Sequence, residues 1–107
     1  MADQSLKVVE KGRFSTVGIN RARYVDARVL AAGVAEVHTV PTGYNYVNFS
    51  ADGNFYANFD AAAAIPSADV TDGTGSVLNP TFRSLESATT IGLVAATATV
   101  VTMEFWK

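Results

Sequence analysis

Hydrophobic and polar residues alternate with a period of two over several short stretches, most clearly across residues 45–59. Asn45, Val47 and Phe49 alternate with Tyr46, Asn48 and Ser50, the pattern of a half-buried strand. Asp52-Gly53 supplies turn chemistry, and Phe55, Ala57 and Phe59 then alternate with Asn54, Tyr56 and Asn58. This spacing predicts a hairpin closed at Asp52-Gly53, where glycine reaches positive φ without a Cβ clash, and Val47 and Phe49 share one buried face with Phe55 and Phe59. Residues 34–40 predict a strand ahead of it, ended by Pro41-Thr42-Gly43, and residues 81–85 a short strand behind it. Ile91, Leu93 and Ala95 alternate with Gly92 and Val94. In the last strand Thr99, Val101, Met103 and Phe105 oppose Val100, Thr102, Glu104 and Trp106. The predicted core is Val47, Phe49, Phe55, Phe59, Ile91, Leu93, Val101, Met103 and Phe105.

The remaining segments are less patterned. Residues 60–80 carry Pro66, Asp72-Gly73, Gly75 and Asn79-Pro80, each a turn former, and read as one long loop. Residues 20–33 admit a helix, capped by Asn20 and ended by Gly33 with Ala22, Val25, Val29 and Ala32 on one face. They also admit a strand, which Tyr24, Val25, Val29 and Leu30 and the β surroundings favour. Residues 1–20 show only the isolated pairs Leu6/Val8 and Val17/Ile19, and Gly12 and Gly18 break any helix. Short strands, close turns and the absence of a βαβ rhythm predict an all-β fold, a small antiparallel sandwich or barrel. The chain divides into an extended N-terminal arm over residues 1–33 and a β-sandwich domain over residues 34–107.

Composition removes several function classes. None of the 107 residues is cysteine, so disulfides, thiolate zinc sites and thiol nucleophiles are excluded. The longest apolar run, residues 61–65, is far too short to span a membrane, and the first residues lack the apolar stretch of a signal peptide. The expectation is a soluble protein made in a cytoplasm, with no membrane contact. A net charge of −2 argues against a general nucleic-acid binder. The charge is unevenly spread, however. Residues 1–28 hold Lys7, Lys11, Arg13, Arg21, Arg23 and Arg28 against Asp3, Glu10 and Asp26, whereas the remainder holds Arg83 and Lys107 against seven acids. A basic arm ahead of an acidic body suits docking on an acidic surface or on a neighbouring copy, and it equally suits a solvated charged face.

Candidate chemistry is sparse. His38 is the sole histidine, placed by strand alternation on the same face as Glu36, and expected at the surface. No ligand-spaced carboxylates surround it, so neither a metal site nor a Ser-His-acid triad is expected, and the chain reads as a protein that is not an enzyme and carries no cofactor. Asp69 and Asp72, around Gly73 and Gly75, offer the oxygens of a calcium loop but lack the spacing of an EF-hand. A structural turn whose carboxylates accept backbone N–H groups is the stronger reading. Tyr44, Tyr46, Tyr56 and Trp106, with Asn45, Asn48, Asn54 and Asn58, permit three readings: cross-strand pairing, a protein interface, or a sugar-binding face.

Three stretches carry a resemblance: Val37-x-x-Val40-Pro41-x-Gly43, Val47-x-Phe49-Ser50-Ala51-Asp52-Gly53-x-Phe55-Tyr56, and Ile65-Pro66-x-Ala68-Asp69-Val70-Thr71-Asp72-Gly73-Thr74-Gly75-Ser76 with Leu78-Asn79-Pro80. Over residues 35–105 the chain resembles the small head-stabilising proteins of tailed bacteriophages, the capsid decoration or cement proteins. The resemblance implies a jelly-roll-like sandwich that binds the major capsid protein on the outside of the virion, as a homo-oligomer on the capsid, after synthesis in the bacterial cytoplasm. With the charge pattern, it puts partner contacts on Lys7, Lys11, Arg13, Arg21, Arg23, Tyr44, Tyr46, Tyr56, Asp69 and Asp72. The alternative is a carbohydrate-binding or tail-associated adhesion module.

Overall fold

The computed structural model describes residues 21–107, and the first twenty residues lie outside the description. The described chain forms eight strands: β1 (Tyr24–Leu30), β2 (Glu36–Thr39), β3 (Tyr46–Ala51), β4 (Tyr56–Phe59), β5 (Val77–Leu78), β6 (Phe82–Ser84), β7 (Thr90–Val94) and β8 (Thr99–Trp106). They make two four-stranded sheets, A in the order β1-β8-β3-β6 and B in the order β2-β7-β4-β5. Every pairing is antiparallel. This strand order, in which every connection except that from β4 to β5 passes from one sheet to the other, is that of a jelly roll.

Alternation along the strands builds the core. In β8, Thr99, Val101, Met103 and Phe105 are buried, while the residues between them face out. Val47 and Phe49 stand beside Phe105 and Met103 in β3, and Ala57, Phe59, Ile91 and Leu93 come from β4 and β7 of sheet B. All nine residues of the predicted core belong to this cluster, with Phe59 at its margin. Leu30, Val40, Leu85 and Ala95 complete it.

Several expectations are corrected. Asp52-Gly53 closes no hairpin: β3 lies in sheet A and β4 in sheet B, so this turn is a corner between sheets. The Asp52 N–H donates to the Val100 carbonyl (3.3 Å), and its carboxylate accepts from the Val100 N–H (2.9 Å). A side chain thus takes over the next ladder position, and the backbone is released to cross. Gly53 does not have positive φ; what constrains the position is space, since an added Cβ would make a tight contact of 3.0 Å with Thr99 Oγ1. The proposed arm also ends earlier than residue 33. Residues 24–30 are β1, paired along their length with β8, so the sandwich begins at Tyr24 and the part of the arm before residue 21 falls outside the described residues. The long loop of residues 60–80 contains the two-residue strand β5.

The outer faces of the two sheets differ. Gly92 points outward from β7, in register with Val37 and Asn58, and residues 61–63 pass directly over it. Val94, also outward, is only 3% exposed, and Ala63 is equally buried. The chain covers the centre of sheet B with its own loop. Sheet A has no such cover among the described residues: Val29 is 75% exposed, Phe82 51% and Tyr46 40%.

Candidate docking face

The outer face of sheet A is laid out by the register of its strands. Tyr46 of β3 sits between Trp106 of β8 and Ser84 of β6, and Asn48 between Glu104 and Phe82. The Phe82 ring crosses this lattice diagonally to stack on Tyr46 at 5.7 Å and 16° between planes, and lies 5.8 Å from Trp106. Three aromatic rings held against one another on a rigid sheet form a preformed apolar platform, with little side-chain entropy left to lose on contact. Beside it Asn48 Nδ2 donates to Glu104 Oε1 (3.2 Å), tying β3 to β8 across the face. At the far edge β1 adds Val25 beside Glu104 and Val29 beside Val100, both exposed. The face can bury apolar surface and offers a single carboxylate at its centre.

The expected contact residues do not converge. Tyr46 alone lies on this platform. Tyr56 faces outward from sheet B, paired with Leu78 and Val94. Tyr44 is half-buried at the end of the sandwich, edge-on to Tyr24 (5.7 Å) and Phe105 (6.4 Å), with Lys107 Nζ 5.4 Å from its ring centre. Cross-strand pairing of Tyr46 with Tyr56 is excluded because they belong to different sheets, and no single face collects the four aromatics. Arg21 and Arg23 are exposed just before β1, Asp69 and Asp72 are exposed on the loop from β4 to β5, and Lys7, Lys11 and Arg13 lie outside the described residues. Sequence reasoning missed Phe82, Val25 and Val29. The available signal was that Phe82 stands without an apolar neighbour two positions away, and that Asp26 and Arg28 share the opposite parity from the valines.

Other polar residues act within the fold. Asp72 Oδ1 accepts from the Thr74 N–H (3.1 Å) and hydroxyl (2.6 Å), the turn that was expected, and these bonds hold its carboxyl below the ordinary range. His38 is not at the surface. It and Glu36 point inward from β2, in register with Ile91 and Leu93, and the His38 side chain is only 12% exposed. Its Nε2 lies 2.9 Å from Glu36 Oε1, but the alignment is too poor for a hydrogen bond. Among the described residues no three His, Asp or Glu side chains are placed to hold a metal ion. A hollow of about 410 Å³ lies between the β3–β4 corner and residues 79–81. Its amides are already engaged: Asn79 Oδ1 accepts from the Phe55 N–H (3.0 Å), and Asn79 Nδ2 donates to Asn54 Oδ1 (2.9 Å).

Asp60 clamps the start of β7. At a left-handed φ of 58°, its Oδ1 accepts from the Thr89 N–H (2.8 Å), the Thr90 N–H (3.2 Å) and the Thr89 hydroxyl (3.2 Å). These donors, led by the Thr89 and Thr90 backbone, favour the carboxylate and lower its pKa below the ordinary value. A lowered folded-state pKa contributes stability that is present above the unfolded value near 4 and is lost as pH falls through the folded value. Asp60→Asn keeps a residue type that tolerates left-handed φ and removes only the charge. The variant is expected to unfold at lower urea than the parent at pH 7, and the gap is expected to narrow at pH 3. A gap that is constant with pH would show that the charge is not the cause.

The described chain is thus an eight-stranded jelly-roll sandwich with one outer face covered by its own loop and the other open and aromatic. Compared with models of protein families, curated proteins and solved structures, it matches none.

Proposed function

We propose that this chain is a virion structural protein that docks on the outside of a capsid lattice through the outer face of sheet A, and so stabilises the shell. The observation that carries the reading is the asymmetry of the sandwich: sheet B is covered by residues 61–63, while sheet A leaves Tyr46 and Phe82 exposed at one side and Val25 and Val29 exposed at the other. A cluster of aromatic rings at the surface of a small domain, here Tyr46, Phe82 and the half-buried Trp106, marks an interaction site. The strand order is used by both capsid and lectin domains, so the chemistry of the face decides between them. Sugar recognition needs polar groups free to bond hydroxyls beside an aromatic platform. Here Asn48 is bonded to Glu104, and Tyr44 and Tyr56 stand elsewhere. Protein contact fits better, since aromatic anchors carry most of the energy in such interfaces. Each copy gains modestly, and a lattice repeats the gain at every site. The six basic side chains of residues 1–28 suit an acidic shell surface.

Heads of the phage that encodes the chain are expected to carry it in near-stoichiometric ratio to the shell subunit. After stripping and re-addition, Phe82→Ser is expected to sediment with heads at least about tenfold more weakly than the parent, as for loss of an aromatic anchor. Equal retention of the variant, or no retention of the parent, would refute the assignment.

A further inference from the structure

Strand β1 is the outermost strand of sheet A among the described residues, and its open side shows a self-complementary pattern. The parity of its free backbone follows from β8. The Val100 and Trp106 carbonyls accept from Asp52 and Asn45, so the even-numbered residues of β8 turn their backbone toward β3. The odd-numbered ones therefore face β1, where the register sets them beside Tyr24, Asp26, Arg28 and Leu30. The N–H and C=O groups left on the open edge belong to Val25, Ala27 and Val29. Their side chains point outward, with Val25 55% and Val29 75% exposed. An edge that presents valines outward is a template for another strand, and soluble proteins usually blunt it with lysine, proline, a bulge or inward-pointing charges. β1 has no lysine, proline or bulge, and its inward-pointing charges, Asp26 and Arg28, are of opposite sign, so they oppose only those pairings that set like against like.

We infer that β1 pairs antiparallel with β1 of a second copy, about a two-fold axis at Ala27, joining the two A sheets edge to edge. In that register Val25 of each chain faces Val29 of the other, and Asp26 of each faces Arg28 of the other. An isologous contact repeats every pair twice, so both the valine contact and the charge contact are doubled. Other registers are disfavoured. A shift of one residue sets outward side chains against inward ones. A two-residue shift one way puts Asp26 opposite Asp26, and the other way puts Arg28 opposite Arg28, and like charges directly across an antiparallel pair destabilise it. Within one chain the Arg28–Asp26 pair is loose, at 3.6 Å, and the Arg28 side chain is 38% exposed, so its guanidinium can turn to a neighbouring carboxylate. The inference rests on β1 and is independent of the capsid reading, because it concerns the free protein.

The test is sedimentation equilibrium of the full chain at about 100 μM, where even a dimer with a micromolar Kd is nearly complete. The parent is expected to have the mass of two chains. Asp26→Arg alone and Arg28→Asp alone each set like charges opposite at both symmetric positions, and each is expected to be monomeric. Mixed one to one, they restore opposite charges at both positions only across the chain boundary, and the mass of two chains is expected to return. A loss of structure within one chain cannot be repaired by mixing, so the mixture separates the interface from a folding defect. Should either variant fail to fold, Val29→Lys, at the most exposed position of β1, carries the test and is expected to be monomeric. A monomeric parent, single variants that stay dimeric, a mixture of folded variants that stays monomeric, or a dimeric Val29→Lys would each overturn the inference.

Discussion

Phe49→Ala is expected to lower the melting temperature by an amount on the order of 20 °C, and to leave the domain close to unfolding under physiological conditions. Phe49 rises from β3 in sheet A, is 4% exposed, and meets Phe55 (5.8 Å) and Phe59 (6.3 Å) from the side of sheet B. It bridges the two layers, and of its neighbours only Met103, directly across on β8, is flexible enough to fill part of the gap left by its ring. Truncating a buried phenylalanine costs about 3–5 kcal/mol, against a total stability of about 5–15 kcal/mol for a domain. Phe82→Ala is the matching control, since it removes the same ring from a site 51% exposed. There the loss is confined to ring–ring contact, worth about 1 kcal/mol. Thermal melts followed by circular dichroism distinguish the two, and equal losses would mean that the core has been assigned to the wrong face.

How much of this arrangement could be read beforehand depended on whether a strand kept its apolar parity. β3, β7 and β8 did, because their inward positions are nearly all apolar, and the core residues they supply were legible. β1 did not: Asp26 and Arg28 occupy inward positions while Val25 and Val29 face out, so the period that marks a sandwich strand is inverted there. The partners of each strand were also hidden. Asp52-Gly53 has the chemistry of a hairpin turn, and that chemistry serves a corner between sheets equally well when the next ladder acceptor is a carboxylate. The candidate face was only partly legible. Tyr46 could be singled out by its type, whereas Phe82 reaches it diagonally across β3 and β6, a relation that exists only once the register is known. The exclusion of Tyr44 and Tyr56 from that face likewise follows from the sheet to which each segment belongs.

The cover over sheet B leads to the other large effect. Gly92 lies in the middle of β7, where a residue with a side chain would ordinarily strengthen the strand. An added Cβ would collide with the Ala61 carbonyl oxygen and stand 2.7 Å from the Ala63 nitrogen and 3.0 Å from the Ala62 Cα. These are backbone atoms, and residues 61–63 are held from both sides: Asp60 is fixed to Thr89 and Thr90, and the Ala64 N–H donates to the Ser76 hydroxyl (3.0 Å). The segment cannot swing away by a side-chain rotation. Gly92→Ala is therefore expected to destabilise by about 1–3 kcal/mol, the usual cost of overpacking, instead of giving the small gain that the strand alone would show. The strain has two outlets. If β7 yields, the whole sandwich melts lower and proteolysis is no faster in the native state. If residues 61–63 lift off, Val94 becomes exposed and the loop between β4 and β5 is cut by protease well below the melting temperature. The second is expected, because β7 is paired on both sides by β2 and β4, while the loop is anchored by a few hydrogen bonds. A Gly92→Ala protein that melts with the parent and keeps the same loop protection would show that the chain does not pass over sheet B as described.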